Sequence, residues 1–488
     1  MRLPGGDLPA RIAERLHALD YTVEGVRRLL GGPVAAAFER GETLPASHAL
    51  SGERAPLATL VRFFMLAEPV DLDDLEAAVG VAPAELAGLV QVQGAQVTSL
   101  VDLSPCAIDD RDWFVASDWS SPRTGRPTTP DHVLGVGGAS LMLARCAVRA
   151  PVPAALDIGT GCGIQALELR GHCERVVGTD VSARCLDFAR FNAAINGVPL
   201  ELRQGSLFDP VADERFDLIV SNPPFVIGSP ASVRHDYRDF GGDGDAVCRE
   251  VVTGAEARLT EGGWCQLLAN WEIHDVDDWS QRPREWVQAS GLDAWVIQRE
   301  VQDPVEYVQM WLRDAGEQSS VRYAIGYDEW LSTLEARGVV AIGFGLVNLR
   351  RGVGHDPVRR FQHVPQQWAQ PVATEIEQWF SVQDWLATDP SGPLTTALAV
   401  ADDVVLESHR WTSDEPVTLL RRTGGMRWSG PIDTFGLDVL RRLEVAGIAA
   451  EAVASAAEAH DVPVAEALER SVPVLGRLLE EGFVQRGR

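Results

Sequence analysis

The stretch Ala154-Ala-Leu-Asp-Ile-Gly-Thr-Gly-Cys-Gly-Ile164 decides the fold of this chain. An apolar strand pattern leads into Asp157, glycine then recurs at every second position, and a helical pattern starts at Gln165. Glycine is required where a backbone turns tightly and a ligand approaches it closely. A dinucleotide-binding loop would place its third glycine at position 164, which Ile164 occupies, so that fingerprint does not fit. The stretch predicts a strand, a glycine-rich ligand loop and a helix.

A second acid stands at the end of the next strand pattern. The run Arg175-Val-Val-Gly-Thr-Asp180 ends in Asp180, and an acid at this place can accept hydrogen bonds from both ribose hydroxyls of a cofactor. Ser182 follows as the N-cap of the next predicted helix. Strand and helix patterns continue to alternate through residues 131–352, which predicts a doubly wound α/β fold with a parallel sheet.

The tetrapeptide Asn222-Pro-Pro-Phe225 directly follows a fourth apolar strand pattern. It is therefore expected at the carboxyl edge of the sheet, where ligands bind in open α/β folds. The two prolines stiffen the loop and remove it from sheet hydrogen bonding. The glycine loop, Asp180 and this tetrapeptide should meet at one edge of the sheet.

The pattern Asp-x-Gly-x-Gly-x-Gly from Asp157 to Gly163 resembles motif I of the class I S-adenosylmethionine-dependent methyltransferases. The resemblance implies a Rossmann-like, seven-stranded methyltransferase domain and S-adenosyl-L-methionine as the cofactor, with the loop wrapped around its methionine part. Relatives often carry an acid where Ser206 stands, to hold the adenine amino group, so this contact is left open between Ser206 and Asp209. The expected cofactor-binding residues are Asp157, Gly159, Thr160, Gly161, Gly163, Asp180, Val181, Ser206, Leu207 and Asn222.

Asn-Pro-Pro-Phe resembles the tetrapeptide of those class I enzymes that methylate a planar nitrogen. Such a nitrogen has its lone pair delocalised and must regain electron density before it can attack a methyl group. The Asn222 side-chain carbonyl can accept one N–H hydrogen bond, the Pro223 carbonyl can accept the other, and Phe225 can stack on the planar group. Much of the rate then comes from orientation rather than from a general base. The expected catalytic residues are Asn222, Pro223, Pro224 and Phe225.

The segment beginning Arg238-Asp-Phe-Gly-Gly-Asp-Gly244 resembles the part that follows the tetrapeptide in HemK-type glutamine N5-methyltransferases, which modify translation release factors. The resemblance covers about 150–350 and is best over 155–260. Phe225 replaces the more usual Tyr, and Asn-Pro-Pro-Phe also occurs in enzymes that methylate the guanine amino group of ribosomal RNA. The acceptor is therefore open between a protein glutamine and an RNA base, with a non-catalytic protein-interaction module as a third alternative.

The basic residues and the net charge of the chain help to choose between a protein and an RNA acceptor. All 43 basic residues are arginine, and the lack of lysine excludes Schiff-base chemistry and the lysine-containing phosphate loops and kinase sites. The net charge of −27 gives no general attraction to RNA. This favours a protein acceptor, and the resemblance implies a translation release factor as the candidate. Any RNA binding would have to depend on local arginines: Arg350, Arg351, Arg359 and Arg360.

The chain divides into four predicted parts. Residues 1–130 predict a helical, winged-helix-like domain with a linker, 131–352 the methyltransferase domain, 353–371 a second linker and 372–488 a C-terminal α+β domain. A short helix is expected at 83–90; it carries no arginine, which disfavours DNA reading and favours a protein-docking or packing role.

Seven cysteines without a Cys-x-x-Cys pair indicate reduced thiols. No apolar run has the length of a membrane span, and no signal-peptide pattern opens the chain. We therefore expect a cytoplasmic protein with no membrane partner. No cysteine, histidine and acid spacing predicts a metal site.

Overall fold

The computed structural model describes residues 3–124, 129–224, 226–227, 244–314, 321–410, 417–446 and 448–487. They form two compact units. The first comprises Met1–Ala144, Ala150–Gly291 and Glu300–Leu349, and the second comprises Arg145–Arg149, Leu292–Arg299 and Arg350–Arg488. Both sides of the predicted boundary at residue 130 fall in the first unit, and the domain boundaries stay predictions.

The N-terminal part of the first unit is mainly helical. Its elements are α1 (Leu8–Ala18), α2 (Val23–Leu30), α3 (Gly32–Glu39), α4 (Leu44–Ala49), α5 (Pro56–Phe64), β1 (Val70–Asp71), α6 (Leu72–Val79), β2 (Val90–Gln93), β3 (Gln96–Ser99), β4 (Asp102–Ile108) and β5 (Arg111–Ser117). Local sequence explains the helix ends. The Thr22 hydroxyl accepts the N–H of Gly25 at the start of α2, and Gly80 ends α6 with a left-handed φ of 76°, which favours glycine.

Helices α5 and α6 and the β2–β3 hairpin follow the order expected of a winged helix. The three short strands form one antiparallel sheet in the order β1-β3-β2. The helix predicted at 83–90 is wrong, because the chain forms only a four-residue 3-10 turn, Pro83–Leu86. Gly88 ends it with a φ of 92°, a conformation outside the right-handed helical region. No full third helix forms here, and the winged-helix-like assignment stays a prediction.

The predicted methyltransferase region alternates strands and helices. Its elements are α7 (Ser121–Thr124), α8 (Gly138–Cys146), β6 (Val152–Ile158), α9 (Ile164–Leu169), β7 (Cys173–Asp180), α10 (Ala183–Ile195), β8 (Glu201–Gln204), β9 (Phe216–Ser221), α11 (Ala246–Gly254), β10 (Leu259–Ile273), α12 (Gln281–Ser290), β11 (Asp293–Gln302), α13 (Pro304–Asp314), α14 (Val321–Ala336), β12 (Ala341–Arg350) and β13 (Arg359–His363).

The central sheet has the strand order β13-β11-β12-β10-β9-β6-β7-β8. Strand β6 pairs in parallel with β7 and with β9, and β7 pairs in parallel with β8. The chain runs from β6 out to β8 and returns to β9 on the other side of β6. This reversal leaves a crevice at the carboxyl ends of β6 and β9, the usual ligand site of doubly wound folds. The predicted Rossmann-like α/β class is confirmed.

The sheet contains one strand more than the seven predicted. Strand β13 lies inside the stretch 353–371 that was interpreted as a linker, and it pairs in parallel with β11. The linker interpretation is therefore wrong for residues 359–363. This strand is short and carries two arginines, so its sequence lacks the apolar run that identifies the strands buried on both faces.

The β4–β5 hairpin is joined to α10 by two asparagines one helical turn apart. The Asn196 amide exchanges two hydrogen bonds with Phe114, and the Asn192 amide exchanges two with Ala116, all at 2.8–2.9 Å. Asn192 Nδ2 also donates to the carbonyl of Cys162 in the glycine loop at 2.8 Å. One buried side chain thus connects the hairpin, the helix and the loop.

Replacing Asn192 by alanine is expected to lower the free energy of unfolding by about 3 kcal/mol, because three buried backbone groups lose their partner. Urea denaturation followed by circular dichroism measures the change. Arg190→Ala is the matched control, since Arg190 lies on the exposed side of the same helix and pairs with Asp187. Its effect should stay within about 0.5 kcal/mol. Equal effects of the two substitutions would contradict the structural role of Asn192.

The second unit has its own apolar core of buried leucine, valine and alanine side chains. Its C-terminal elements are α15 (Ala373–Thr388), α16 (Gly392–Thr395), β14 (Leu398–Val400), β15 (Val404–His409), β16 (Val417–Arg422), β17 (Ser429–Pro431), α17 (Thr434–Ala446), α18 (Ala449–Ala459), α19 (Val464–Glu480) and β18 (Val484–Arg486). Strands β15, β16 and β17 form an antiparallel sheet, followed by three helices. The α+β class predicted for this region is confirmed.

Within the part of the chain that the structure describes, no helix is both long enough and apolar enough to cross a membrane. The cytoplasmic location stays a prediction.

Candidate active site

A cavity of about 340 Å³ opens at the carboxyl ends of β6, β7 and β9. The glycine loop forms one wall, and the residues after β7 and β9 form others. The residues used below that line it are Ser140, Gly159, Thr160, Gly161, Asp180, Val181, Gly205, Leu207, Asn222, Pro223, Pro224, Val226 and Trp311. The structure thus brings the three sequence motifs together at the predicted edge of the sheet.

Glycine is required at the three loop positions for different structural reasons. Gly159, Gly161 and Gly163 have φ values of 70°, 53° and 90°, which side chains other than glycine rarely adopt. At Gly159 and Gly161 there is open space around the backbone, so conformation and ligand approach require glycine there. A Cβ at Gly163 would lie 3.1 Å from the Cβ of Ala189, so this glycine also permits close packing of α9 and α10.

Asp157 holds the glycine loop in place by hydrogen bonds and does not itself line the cavity. Its Oδ2 accepts the hydroxyl of Thr160 at 2.6 Å and the N–H of Ala166 at 3.1 Å. Its Oδ1 is buried and has no hydrogen-bond partner among the described residues. Burial raises the pKa of Asp157 to about 7, because the charged form loses its hydration.

Asp180 lies at the end of β7 and faces the cavity. Its carboxylate accepts the N–H of Gly161 at 2.9 Å and the N–H of Ser182 at 2.8 Å. These two bonds orient the carboxylate, and a carboxylate oxygen can accept more than one donor. Ser182 also accepts the N–H of Cys185 as the cap of α10, so the predicted N-cap is confirmed.

The loop after β8 brings Gly205 and Leu207 to the cavity, but not Ser206 or Asp209. Leu207 has a left-handed φ of 43°, and its carbonyl accepts the Thr179 hydroxyl at 3.2 Å. Asp209 begins a short 3-10 turn. The exposed side chain of Val181 and the buried one of Leu207 give this end of the cavity an apolar character. Neither candidate for the adenine amino group lines it, and that contact stays a prediction.

Asn222 lies at the other end of the cavity, directly after β9. Its Nδ2 donates to the hydroxyl of Ser140 at 3.3 Å, which leaves Oδ1 as the free acceptor of the amide. This Oδ1 is buried and has no hydrogen-bond partner in the described part of the chain. Pro223 and Pro224 line the cavity beside it, while Phe225 lies outside the described residues. The site therefore offers an unused carbonyl oxygen where a planar nitrogen was expected to dock.

Ser140 is a functional candidate that the sequence interpretation missed. It lies in the first turn of α8, and its carbonyl accepts the side chain of Gln165 at 2.7 Å. This pairing ties α8 to the glycine-loop helix α9. The glycine-rich run Gly135-Val-Gly-Gly-Ala-Ser140 before a helix was the available signal.

Comparison with known proteins agrees with this geometry. Residues 136–276 match the methyltransferase small domain family. The segments 18–100 and 377–486 on either side match two families described as domains of unknown function. The predicted resemblance to class I methyltransferases, and to the HemK-type group among them, is confirmed for the methyltransferase small domain.

The relatives match only part of this chain. A release factor glutamine methyltransferase of Xylella fastidiosa is 40% identical over 129 residues, covering 24% of this chain and 46% of the relative. A ribosomal RNA small subunit methyltransferase C of Alcanivorax borkumensis is 33% identical over 118 residues, covering 24% of this chain and 32% of the relative. The chain thus spans about half or less of the length of these relatives. A solved methyltransferase of Pyrococcus furiosus is 17% identical with a TM-score of 0.26, covering 42% of this chain and 78% of that one.

Of the seven tryptophans from Trp264 to Trp330, Trp311 of α13 lines the cavity, as do Pro224 and Val226. Trp271, Trp286, Trp295 and Trp330 are buried core residues. His235 and Tyr237, which had no assigned partner, lie outside the described residues.

Gly244, the last residue of the Gly-Gly-Asp-Gly sequence, and Asp245 after it have structural roles. Gly244 has a φ of 55°, and Asp245 begins α11 while its buried carboxylate pairs with Arg282. A Cβ at Gly244 would lie 2.4 Å from a carboxylate oxygen of Glu272. These contacts anchor the helix that follows the turn, and residues 228–243 before it lie outside the described part.

A histidine and two acids meet in the second unit, although their sequence spacing predicts no metal site. The ligand atoms of Asp293, His355 and Asp384 lie within 4.8 Å of one another. His355 Nε2 contacts Asp384 at 3.0 Å and Nδ1 contacts the Asp356 carbonyl at 2.9 Å. Both ring nitrogens face acceptors, and the Asp356 carbonyl followed by the Asp384 carboxylate raises the pKa of His355. A protonated imidazole explains this cluster as an ion pair.

Proposed function

We propose that the chain is an S-adenosylmethionine-dependent N-methyltransferase that acts on a planar nitrogen, with a protein glutamine side-chain amide as the first candidate acceptor. The observation that carries the proposal is the buried Oδ1 of Asn222, which has no hydrogen-bond partner among the described residues and lies in the same cavity as the glycine loop and Asp180. A turn that merely ends a strand would gain nothing from a buried acceptor left unpaired.

The residues present fit the cofactor. The glycine loop offers backbone that a ligand can approach, Asp180 can accept both ribose hydroxyls, and Val181 and Leu207 provide an apolar surface for the adenine. When bound, S-adenosylmethionine supplies an electrophilic methyl group.

The chain's own part is to hold the acceptor nitrogen. In this proposal Asn222 Oδ1 accepts one N–H of the acceptor group, and the Pro223 carbonyl accepts the second. Both bonds draw the hydrogens toward fixed oxygens and return electron density to the nitrogen. Because the two acceptors belong to one proline-stiffened loop, the nitrogen is oriented before reaction, and orientation of this kind lowers barriers substantially. The stacking role of Phe225 is part of the proposal by resemblance.

Two of the four arginines named as RNA candidates, Arg350 and Arg360, are engaged within the second unit, which supports a protein acceptor. Arg350 pairs with Asp384. The Arg360 guanidinium lies 5.1 Å from the centre of the Trp295 ring and pairs with Glu480. Charges compensated in this way attract phosphates weakly, and the overall charge of −27 adds repulsion. The relatives named as release factor glutamine methyltransferases point the same way.

A ribosomal RNA guanine amino group is the second candidate acceptor, favoured by the relatives named as ribosomal RNA methyltransferases. It presents the same planar nitrogen to the same two carbonyls. A non-catalytic interaction module that kept the fold is the third alternative, and the preserved Asn222 geometry argues against it.

Transfer of labelled methyl groups to an extract from a strain lacking the protein tests all three alternatives. Label that survives RNase and is lost with protease supports a protein acceptor. Label lost with RNase supports RNA. No transfer to either fraction, with the chain folded and binding cofactor, would favour the non-catalytic alternative.

Cofactor affinity is expected to rise by about fivefold between pH 6.0 and pH 7.5. The pKa of Asp157, raised by burial to about 7, means that its carboxylate forms in this range. Although Asp157 does not line the cavity, its negative charge behind the glycine loop can then attract a positively charged group of the cofactor through space. Calorimetry at both pH values measures the change, and Asp157→Asn should give a flat profile. The unliganded fold should respond in the opposite direction, since a raised carboxyl pKa contributes stability at low pH that is lost as the pH rises through about 7. A wild-type profile as flat as that of the variant would contradict the role of Asp157.

A further inference from the structure

The backbone that follows the acceptor tetrapeptide is held by two side chains from α13 and α14. The N–H of Ile227 donates to Tyr307 Oη at 2.8 Å. The indole N–H of Trp330 donates to the carbonyl of the same Ile227 at 2.9 Å. The backbone N–H and the carbonyl of Ile227, two positions beyond Phe225, are therefore both hydrogen-bonded by side chains of the segment between β11 and β12.

These contacts are fully enclosed. Ile227, Tyr307 and Trp330 each have 0% of their surface exposed. The Tyr307 and Trp330 rings meet edge to face with centroids 6.2 Å apart and an interplanar angle of 89°. Buried backbone groups must be paired, so the loop has a single well-defined position as long as both partners remain.

The same helix also reaches the cavity. Trp311, one turn beyond Tyr307 on α13, lines the cavity beside Pro223 and Pro224, and its ring lies 6.2 Å from that of Tyr307. Asn270 of β10 donates to Tyr307 Oη at 3.4 Å, which connects the hydroxyl to the central sheet. Tyr307 thus joins the sheet, the loop and the cavity wall.

We propose that Tyr307 and Trp330 are positioning residues for methyl transfer, which fix the tetrapeptide Asn222–Phe225 from its C-terminal side. The proposal rests on the function proposed above. Strand β9 and the hydrogen bond from Asn222 to Ser140 hold the N-terminal side of the tetrapeptide. The Asn222 side-chain carbonyl and the Pro223 carbonyl therefore lie between two segments that are both held in place. A displacement of about 1 Å at such a site can lower a rate a hundredfold, whereas the glycine loop and Asp180 are untouched.

Tyr307→Phe tests the proposal because it removes one oxygen and keeps the ring. The kcat for labelled methyl transfer to the extract fraction that the wild-type chain labels should fall about tenfold or more. The KM and Kd for S-adenosylmethionine, and the stoichiometry of its binding, should change less than twofold. Trp330→Phe should act in the same direction. Tyr327→Phe, which removes a hydroxyl from α14 away from Ile227, is the matched control and should leave kcat unchanged.

A second measurement does not depend on activity. Hydrogen exchange of the amides in residues 222–227 should become faster in Tyr307→Phe, while exchange in residues 157–166 should remain as in the wild type. If the wild-type chain transfers no methyl group, the proposed function fails, and this exchange experiment decides the anchoring role by itself. Unchanged exchange in 222–227, or full kcat in both Tyr307→Phe and Trp330→Phe, would overturn the proposal.

Discussion

Replacing Asn222 by alanine is expected to lower kcat for methyl transfer by about a hundredfold or more, with the affinity for S-adenosylmethionine unchanged within about twofold. The Oδ1 of Asn222 is a buried acceptor with no partner in the described part of the chain, so it is available to the planar nitrogen. The substitution removes a hydrogen bond that strengthens as the reaction reaches its transition state. Loss of one such hydrogen-bonding group typically lowers kcat by about 10²–10³-fold. Single-turnover transfer and calorimetry measure the two quantities.

Ser140→Ala is the companion variant for this experiment. It removes the hydroxyl that accepts Asn222 Nδ2 but leaves Oδ1 in place, so we expect a smaller loss of about threefold to tenfold from weaker orientation of the amide. Retention of wild-type turnover by Asn222→Ala would refute the assigned role of this side chain.

Replacing Asp180 by alanine is expected to weaken S-adenosylmethionine binding by about a hundredfold. The substitution removes the carboxylate that is proposed to accept hydrogen bonds from the two ribose hydroxyls. Hydrogen bonds to charged groups are worth about 1.5–3 kcal/mol each, so two bonds at the lower value contribute about 3 kcal/mol, which corresponds to roughly a hundredfold change in Kd. The carboxylate also holds the N–H groups of Gly161 and Ser182, so the empty loop should loosen as well. Calorimetry gives the Kd directly.

Asp187→Ala is the control for the Asp180 variant. Asp187 lies on α10 close in sequence to Asp180, but it pairs with Arg190 on the exposed side of the helix. Its removal should leave cofactor binding within about twofold. If Asp180→Ala bound the cofactor as tightly as Asp187→Ala, the ribose would have to be held elsewhere.

The parts of the site that the sequence predicted well are those in which one short segment determines its own geometry. The glycine loop, Ser182 and the tetrapeptide each follow directly after a strand, and the ends of parallel strands meet at one edge by the rules of the fold. Asp180 and Asn222 therefore came together without any contact having to be known. These positions line the cavity, and their roles stay proposals until the variants are measured.

The contacts that the sequence did not predict join residues far apart in the chain. Asn222 meets Ser140 across 82 positions, and Ile227 meets Trp330 across 103. Serine, tyrosine and tryptophan are ordinary residues of helices and cores, so their composition carries no signal of these partners. Strand β13 was missed for a different reason, since an edge strand does not need a continuous apolar run.

The shared amide of Asn192 has a practical consequence for dissecting the protein. A fragment starting at residue 131, where the predicted methyltransferase domain begins, would lack Ala116 and leave the Asn192 amide without two of its three hydrogen bonds. Such a fragment should be less soluble and should bind cofactor poorly, even though every motif residue is present. A fragment that is meant to keep the function of this domain therefore has to include the β4–β5 hairpin as well as the motif residues.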